Sequence, residues 1–508
     1  MPLNIVSEVT PKNRWQRILH WEYLGLFIIV AVTLAFHFVA IERPPTIVWD
    51  EKWYVGDVRS IISGRGDIRP EHPPLAKFFI IIGEFVSNGF TVPEKDSGVC
   101  TQQLINAIHD TDSVIQVSDA SQLSTGTTIR IDSEQMDIQS KNPVLNTITV
   151  TRGAGGTTIS SHASQKTIYV FTDNAFGWRF FSIIFGTLGI ILFYFICRKL
   201  GFSWKATMLA TFLFAFDDMT FLHSGLALLD VYMITFMLAA VLSYLDEKYL
   251  LAGLFVALST ECKLTGVLII IAIFLHWVIF RRDKWKTVVG SLLFTLLSFV
   301  FLLVFFDFFF KGTIENPITR IHALIMGSTT NTFTIPKLFI SSRPWTWLYP
   351  QWILHYFNSP NVPYIVYSAQ PQWVSFISTT IQILIIPTFG YMIYKAIKGS
   401  KPAGFIVFWF LATYLVWIPL DIITNRVTYL YYFLSTTPAI CIGLGMAISE
   451  WLDRLRTRYA EFDRIAPGEI ASFTAIFLYL VFHLAIFIVF NPAIPTTINL
   501  LMPPFGYK

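Results

Sequence analysis

Charge is the scarcest commodity in this sequence. Of 508 residues only 14% are Asp, Glu, Lys or Arg, where soluble domains carry about 25%. That argues against a soluble globular enzyme and against a disordered chain. The 37 Lys and Arg nearly balance the 33 Asp and Glu, so no nucleic-acid or other polyanionic partner is expected. Cysteine is scarce too. Four are too few for a disulfide framework. Cys197, Cys262 and Cys441 lie in or beside apolar runs and Cys100 stands in a polar stretch, so no disulfide is expected. The first apolar run, Leu24 to Ile41, is followed by no small-residue cleavage site and reads as a retained anchor. No Asn-x-Ser/Thr sequon occurs. What the chain has instead is apolar bulk. It is 54% hydrophobic and 16% aromatic, with 47 Phe and 15 Trp, and its mean hydropathy is +0.56. That is the composition of a polytopic all-α membrane protein, with rings at the lipid interfaces.

Apolar runs near 20 residues long fall at 22–41, 176–196, 206–222, 226–245, 264–280, 287–310, 374–394, 403–420, 427–448 and 470–490, with a shorter one at 249–260. The stretch 75–91 is apolar but carries Lys77 and Glu84. Basic clusters decide its fate. They stand at Lys12/Arg14/Arg17, Arg198/Lys199/Lys205, Arg281/Arg282/Lys284/Lys286, Lys395/Lys398/Lys401 and Arg454/Arg456/Arg458. Only if 75–91 lies along the outer surface do all five face the cytoplasm, as the positive-inside rule asks. The reading is therefore an interfacial helix opened by Pro73-Pro74. With 249–260 counted, about eleven crossings result, N-terminus cytoplasmic. The chain then divides into 1–95, the first crossing and first outer loop; 96–172, an insert; and 173–508, the remaining core with a large outer loop at 311–373.

Residues 96–172 differ in texture. They are rich in Ser, Thr, Gly and Asp, with alternating runs such as Thr128-Ile129-Arg130-Ile131 and Thr147-Ile148-Thr149-Val150-Thr151. These predict a small all-β extracytoplasmic module, either a decoration or a binding element.

Candidate chemistry gathers at the outer ends of the runs. Asp50-Glu51 follows the first run, among Trp49, Trp53 and Tyr54. A carboxylate in a half-dry setting can take a proton from an attacking hydroxyl; an acidic turn beside interfacial aromatics would look the same. Arg69-Pro-Glu-His-Pro-Pro-Leu-Ala-Lys77 places His72 and Lys77 to donate to an anionic headgroup, or merely opens a helix with a snorkelling Lys. Arg179, Lys263, Arg426 and Arg343 are cations on the same face, expected to meet a lipid phosphate. Asp217, Asp218 and His223 occupy a turn, and Asp230 lies within a run and needs a partner. Two carboxylates and a His could suggest a metal, but none is expected.

These motifs, in this order, resemble the protein O-mannosyltransferases, which have the GT-C membrane glycosyltransferase fold. The resemblance is carried by Asp50-Glu51, His72-Pro-Pro-Leu-Ala-Lys77, Trp178-Arg179, Arg198-Lys-Leu-Gly-Phe-Ser203, Ala215-Phe-Asp-Asp218, Leu228-Leu-Asp230 and Gly253…Lys263-Leu-Thr-Gly266. It covers most of the chain outside the insert and part of the large loop. It implies a polyprenyl-phosphate sugar donor, typically dolichyl-phosphate mannose, and a Ser or Thr hydroxyl of an exported protein as acceptor. Asp50 would be the base and Glu51 would position the acceptor. Arg179 and Lys263 would hold the lipid phosphate, with His72 beneath the site. The transfer would be inverting, on the extracytoplasmic face of a cell membrane, with no cofactor. Loop 311–373 is too short for the MIR module of eukaryotic members, so an archaeal or bacterial type is implied. Gly225 and Leu264 stand where the family often has Arg and Trp. Two other readings are a GT-C transferase acting on a lipid or glycan, such as the aminoarabinose transferases, and a polytopic transporter. The second conflicts with ionisable groups clustering at one face rather than mid-span.

Overall fold

The structure is a computed structural model. It describes residues 21–43, 50–62, 71–87, 102–123, 127–154, 157–171, 174–282, 284–327, 341–350, 374–459 and 467–494, with single positions between them that include Gly66, Asp67, Arg69, Thr332 and Phe333. Seventeen α-helices are described. In the N-terminal part they are α1 Trp21–Ala40, α2 Glu51–Ile62, α3 Leu75–Ser87, α4 Ala175–Lys199, α5 Trp204–Ala215, α6 Asp218–Gly225, α7 Leu229–Leu245 and α8 Tyr249–Cys262. Then come α9 Ile269–Phe280, α10 Trp285–Lys311, α11 Pro317–Gly327, α12 Thr379–Gln382, α13 Ile385–Ile397, α14 Lys401–Phe410, α15 Trp417–Thr424, α16 Thr437–Tyr459 and α17 Pro467–Phe490.

Every apolar run is largely helical. Among the described residues five helical segments are long and apolar enough to cross a bilayer by themselves: Tyr23–Ala40, Ala175–Lys199, Trp285–Lys311, Lys401–Thr424 and Gly468–Phe490. Helices α6 and α7, bent by 111°, would together make a sixth. Several of the expected eleven crossings are therefore broken or short. Run 206–222 breaks at Asp217, whose carboxylate caps α6 by accepting the Thr220 N–H at 3.0 Å. Run 403–420 carries a π-turn at Leu411–Leu415 between α14 and α15. The short run at 249–260 does extend, as α8 ends at Cys262.

Helix α3 has thirteen residues, about 20 Å of rise against the roughly 30 Å of a hydrocarbon core, so it does not cross. It does not float on the surface either. Leu75, Ala76, Lys77, Ile80, Ile81 and Gly83 are buried, and α3 crosses α4 so closely that a Cβ on Gly83 would lie 2.2 Å from the Gly177 carbonyl oxygen. Only glycine allows that approach.

The insert is a five-stranded antiparallel sheet in the order β1-β4-β3-β2-β5, with β1 Val114–Gln116, β2 Thr128–Ile131, β3 Glu134–Asn142, β4 Thr147–Ala154 and β5 Tyr169–Phe171. Alternation packs Ile115, Ile129, Ile131, Met136, Ile138, Ile148 and Val150 into a core of its own. A two-stranded pair, Ile365–Val366 with Val374–Ser375, precedes α12. Cys197, Cys262 and Cys441 are free and buried; Cys100 lies outside the described residues.

Candidate active site

The site grows from one fixed point. Glu51 opens α2 and is fully buried. Arg179, one turn into α4 and equally buried, grips it with two parallel bonds, Nε to Oε1 at 2.8 Å and Nη2 to Oε2 at 2.7 Å. The Ala227 N–H, between α6 and α7, donates to the same Oε1 at 3.0 Å, and Arg179 Nη1 donates to the Ile41 carbonyl at 2.8 Å. The Glu51–Arg179 pair thus ties the end of α1, α2, α4 and the α6–α7 link together. A buried pair of this kind costs about 3–5 kcal/mol to break from one side, because the remaining charge is stranded.

A second network fixes the rest of the first outer loop. Lys77 Nζ lies 2.7 Å from Asp67 and 2.9 Å from Asp57. Arg69 donates to Asp57 at 3.1 Å and to the Trp53 carbonyl at 2.8 Å, with its guanidinium over the Trp53 ring. Burial pushes the Asp57 carboxyl up to about 6; Lys77 pulls it down, the Asp67 charge adds to the rise, and Arg69 opposes it.

Between these anchors lies a cavity of about 430 Å³. Asp50, Lys52, Trp53 and Tyr54 line it from the start of α2, and Arg69, Glu71, His72 and Pro73 from the turn into α3. Lys263, Leu264 and Thr265 enter at the break between α8 and α9. Trp417, Arg426, Tyr429, Tyr431 and Tyr432 form the wall from the C-terminal part, and Gly327 completes it. The break that aims Lys263 is local. Lys263 has extended backbone angles, and the next turn passes so near α8 that a Cβ on Gly266 would meet the Ser259 carbonyl at 2.6 Å.

The cavity is electropositive. Lys52, Arg69, Lys263 and Arg426 face Asp50 and Glu71. Lys263 Nζ is 2.7 Å from Asp230, in the first turn of α7, and sits over the Tyr431 and Tyr432 rings at 5.0 and 5.2 Å. Among the described residues Arg426 has no carboxylate within ion-pair distance. Burial, reinforced by Lys77, Lys263, Arg69 and Arg426, holds the His72 imidazole well below its ordinary pKa. Burial, with the negative charges of Asp50 and Asp230, holds the Tyr54 hydroxyl well above its own. At neutral pH both are uncharged, so His72 can offer one N–H and no charge. The arrangement can hold a phosphate-type anion on cations while a carboxylate stands by to take a proton.

The structure sorts the expected residues. Asp50, His72, Lys263 and Arg426 line the cavity. Asp230 finds its cation in Lys263. Glu51 and Arg179 do not line the cavity; they satisfy each other and cannot face a ligand without breaking that pair. Lys77 does not reach a headgroup, since two aspartates and the Arg69 carbonyl hold it in the interior. Arg343 lies outside the cavity. It donates to Asp421 and Asn425, both at 2.8 Å, and anchors an edge where Ser342 and Thr428 exchange hydrogen bonds. Asp217 and Asp218 accept from the backbone N–H groups of Ser378 and Phe376 and hold the segment before α12. His223 is buried against Tyr431, outside the lining. Sequence reasoning missed Lys52, Glu71 and the tyrosine wall as site residues. In the sequence Trp53 and Tyr54 stand only as aromatics flanking Asp50-Glu51, and Arg69 only as the start of the His72 motif. The run Tyr429-Leu-Tyr-Tyr432, beside Arg426, was the available signal.

The family model described as dolichyl-phosphate-mannose-protein mannosyltransferase matches residues 155–315, which hold Arg179, Asp230 and Lys263. No curated protein matches by sequence. Among solved structures the chain is similar to the Saccharomyces cerevisiae protein O-mannosyltransferase Pmt1-Pmt2 complex bound to the sugar donor. The TM-score is 0.62 at 10% identity, over 97% of this chain and 93% of that one. It is also similar to ArnT from Cupriavidus metallidurans bound to undecaprenyl phosphate, with a TM-score of 0.50 at 12% identity over 93% and 75%. A third is the Archaeoglobus fulgidus oligosaccharyltransferase tethered with an acceptor peptide, at 0.50 and 13%, over 96% of this chain but 56% of that one. The fold is that of the GT-C membrane glycosyltransferases. The family model covers about a third of the chain, residues 155–315.

Proposed function

We propose that the chain moves a sugar, mannose by preference, from a polyprenyl phosphate to Ser or Thr hydroxyls of exported proteins, with inversion at the anomeric carbon. The observation that carries this is the convergence of Asp50 with Lys263 and Arg426 on one cavity. The lipid phosphate is the leaving group. Cations that pair with it more strongly as charge develops lower the barrier. Lys263 and Arg426 are the clamp in this reading, helped by Lys52 and Arg69, with a neutral N–H from His72. Asp50 takes the proton of the attacking hydroxyl as the glycosidic bond to phosphate breaks. One displacement needs one base and one clamp, and no cofactor enters the step. Glu51, Arg179, Asp230 and Arg343 are positioning residues.

The cavity is assigned to the extracytoplasmic face and the N-terminus to the cytoplasm. Helix α4 supports this, since Arg179 is near its cavity end and Arg198-Lys199 close its other end.

The test uses membranes containing the full chain, labelled dolichyl-phosphate mannose and a Ser/Thr-rich peptide. Asp50→Asn is expected to lower glycopeptide formation by about 100-fold or more while donor retention stays. Near-full turnover in that variant would remove Asp50 as the base. Label appearing on a lipid or glycan instead of the peptide would move the protein toward the other GT-C chemistry.

A further inference from the structure

The ends of α7 and α9 remote from the cavity carry a second charged cluster. Asp230 opens α7 and Lys263 precedes α9. Glu247 and Arg281 follow the other ends of the same two helices. Helix α7 has 17 residues, about 25 Å at 1.5 Å per residue, so the two clusters stand a helix length apart.

An open pocket of about 510 Å³ is lined there by Glu247, Ile279, Phe280, Arg281, Arg282 and Lys401. Its charges do not balance. Glu247 is paired with Lys284 at 2.5 Å and reaches Arg281 only at 3.5 Å. Arg282 donates Nε to the Val278 carbonyl of its own helix end. Among the described residues neither Arg282 nor Lys401 has a carboxylate within ion-pair distance. Lys401 opens α14, whose first turn, capped by Ser400, adds the positive end of a helix dipole. Among the described residues three cations therefore line the space beside one acid, which Lys284 already holds. Its apolar lining faces outward: Ile279 is 50% exposed and the neighbouring Trp285 57%, as interfacial residues are.

We propose that this pocket binds the phosphate of an acidic membrane phospholipid, with Arg281, Arg282 and Lys401 on the headgroup and an acyl chain passing Ile279. The half-exposed apolar rim distinguishes such a ligand from a free anion, which would gain nothing from it. The cytoplasmic leaflet, where the positive-inside reading puts these residues, is the anionic one. The inference does not depend on which sugar or acceptor the other cavity takes.

Native mass spectrometry of the full chain, titrated with phosphatidylglycerol or phosphatidylcholine, tests it. Saturable retention of one phosphatidylglycerol, and none of phosphatidylcholine, is expected. Removing two cations in the double variant Arg282→Ala/Lys401→Ala should weaken retention roughly tenfold or more. Glu247→Gln should leave it equal or tighter. Sugar transfer by the double variant in phosphatidylcholine vesicles should match the unaltered chain, which verifies its fold. Equal retention by both proteins would overturn the proposal. Displacement of the lipid by millimolar inorganic phosphate would replace it with a small-anion site.

Discussion

Two buried arginine–glutamate pairs, one in the helical bundle and one in the β insert, use the same fork geometry. Arg179 holds Glu51 at 2.8 and 2.7 Å, and Arg152 holds Glu134 at 2.7 and 2.8 Å. The bundle pair joins residues 128 apart in sequence, the insert pair residues 18 apart. Arg152 also donates to the carbonyls of His109, Asp112 and Ser160, and Glu134 accepts from Gly153, Ser160 and His162. The insert pair therefore closes a local knot within one sheet. The bundle pair staples the first outer loop to distant helices, and the cavity lined by Asp50 and Lys263 is built beside it. Similar chemistry thus serves self-sufficiency in one region and assembly of a site in the other.

Breaking each pair tests that contrast. Arg179→Ala should cost about 3–5 kcal/mol of stability and remove sugar transfer, and Arg179→Lys should not rescue it, since a lysine cannot make two parallel bonds. Thermal melting in nanodiscs alongside the peptide assay would show this. A variant that melts normally and loses only donor affinity would make Arg179 a ligand clamp after all. Arg152→Ala should lose a comparable amount, again about 3–5 kcal/mol, but confined to the insert. Hydrogen exchange should rise across Glu134–Ala154 while transfer stays within about twofold. Loss of transfer there would give the insert a working part in the reaction.

Acid should separate the regions further. Burial alone raises the Glu134 carboxyl, but Arg152, the Ser160 and Gly153 N–H groups and His162 bring it down to about 2. A depressed folded pKa contributes stability above the ordinary value of 4.5, and this is lost as pH falls toward 2. Proteolytic nicking of the insert should increase through that window, and Glu134→Gln should flatten the dependence. The smallest effect belongs to a surface pair. Lys199 meets Asp246 with its side chain 52% exposed, so Lys199→Ala should shift stability by no more than about 0.5 kcal/mol.

Much of this arrangement was readable from residue order. Asp50 after the first run, the His72 turn and Lys263 at a run's end all reach the cavity, because each depends on where a helix starts or stops. The alternation of Thr128–Ile131 and Thr147–Thr151 foretold the sheet. What could not be read was azimuth. Nothing in a uniformly apolar run tells which way Arg179 points, so its pairing with Glu51 stayed hidden behind a plausible phosphate. The same holds for Lys77, turned inward onto Asp57 and Asp67, and for Arg343, claimed by Asp421. Asp217 and Asp218 read as chemistry because capping and catalysis use the same side chain. The tyrosine wall depends on Tyr432 stacking over Trp417 with ring centroids 4.5 Å apart, a contact between elements no local pattern links.

The immobility of Glu51 has a consequence for its neighbour. A residue whose neighbour's carboxylate is held by Arg179 and by the Ala227 N–H is tethered at the start of its helix. In the proposed reaction Asp50 would meet an incoming hydroxyl by turning about its own two side-chain torsions. Acceptor choice in such an arrangement comes from how the peptide is steered in, because the carboxylate makes no accommodation beyond a swivel.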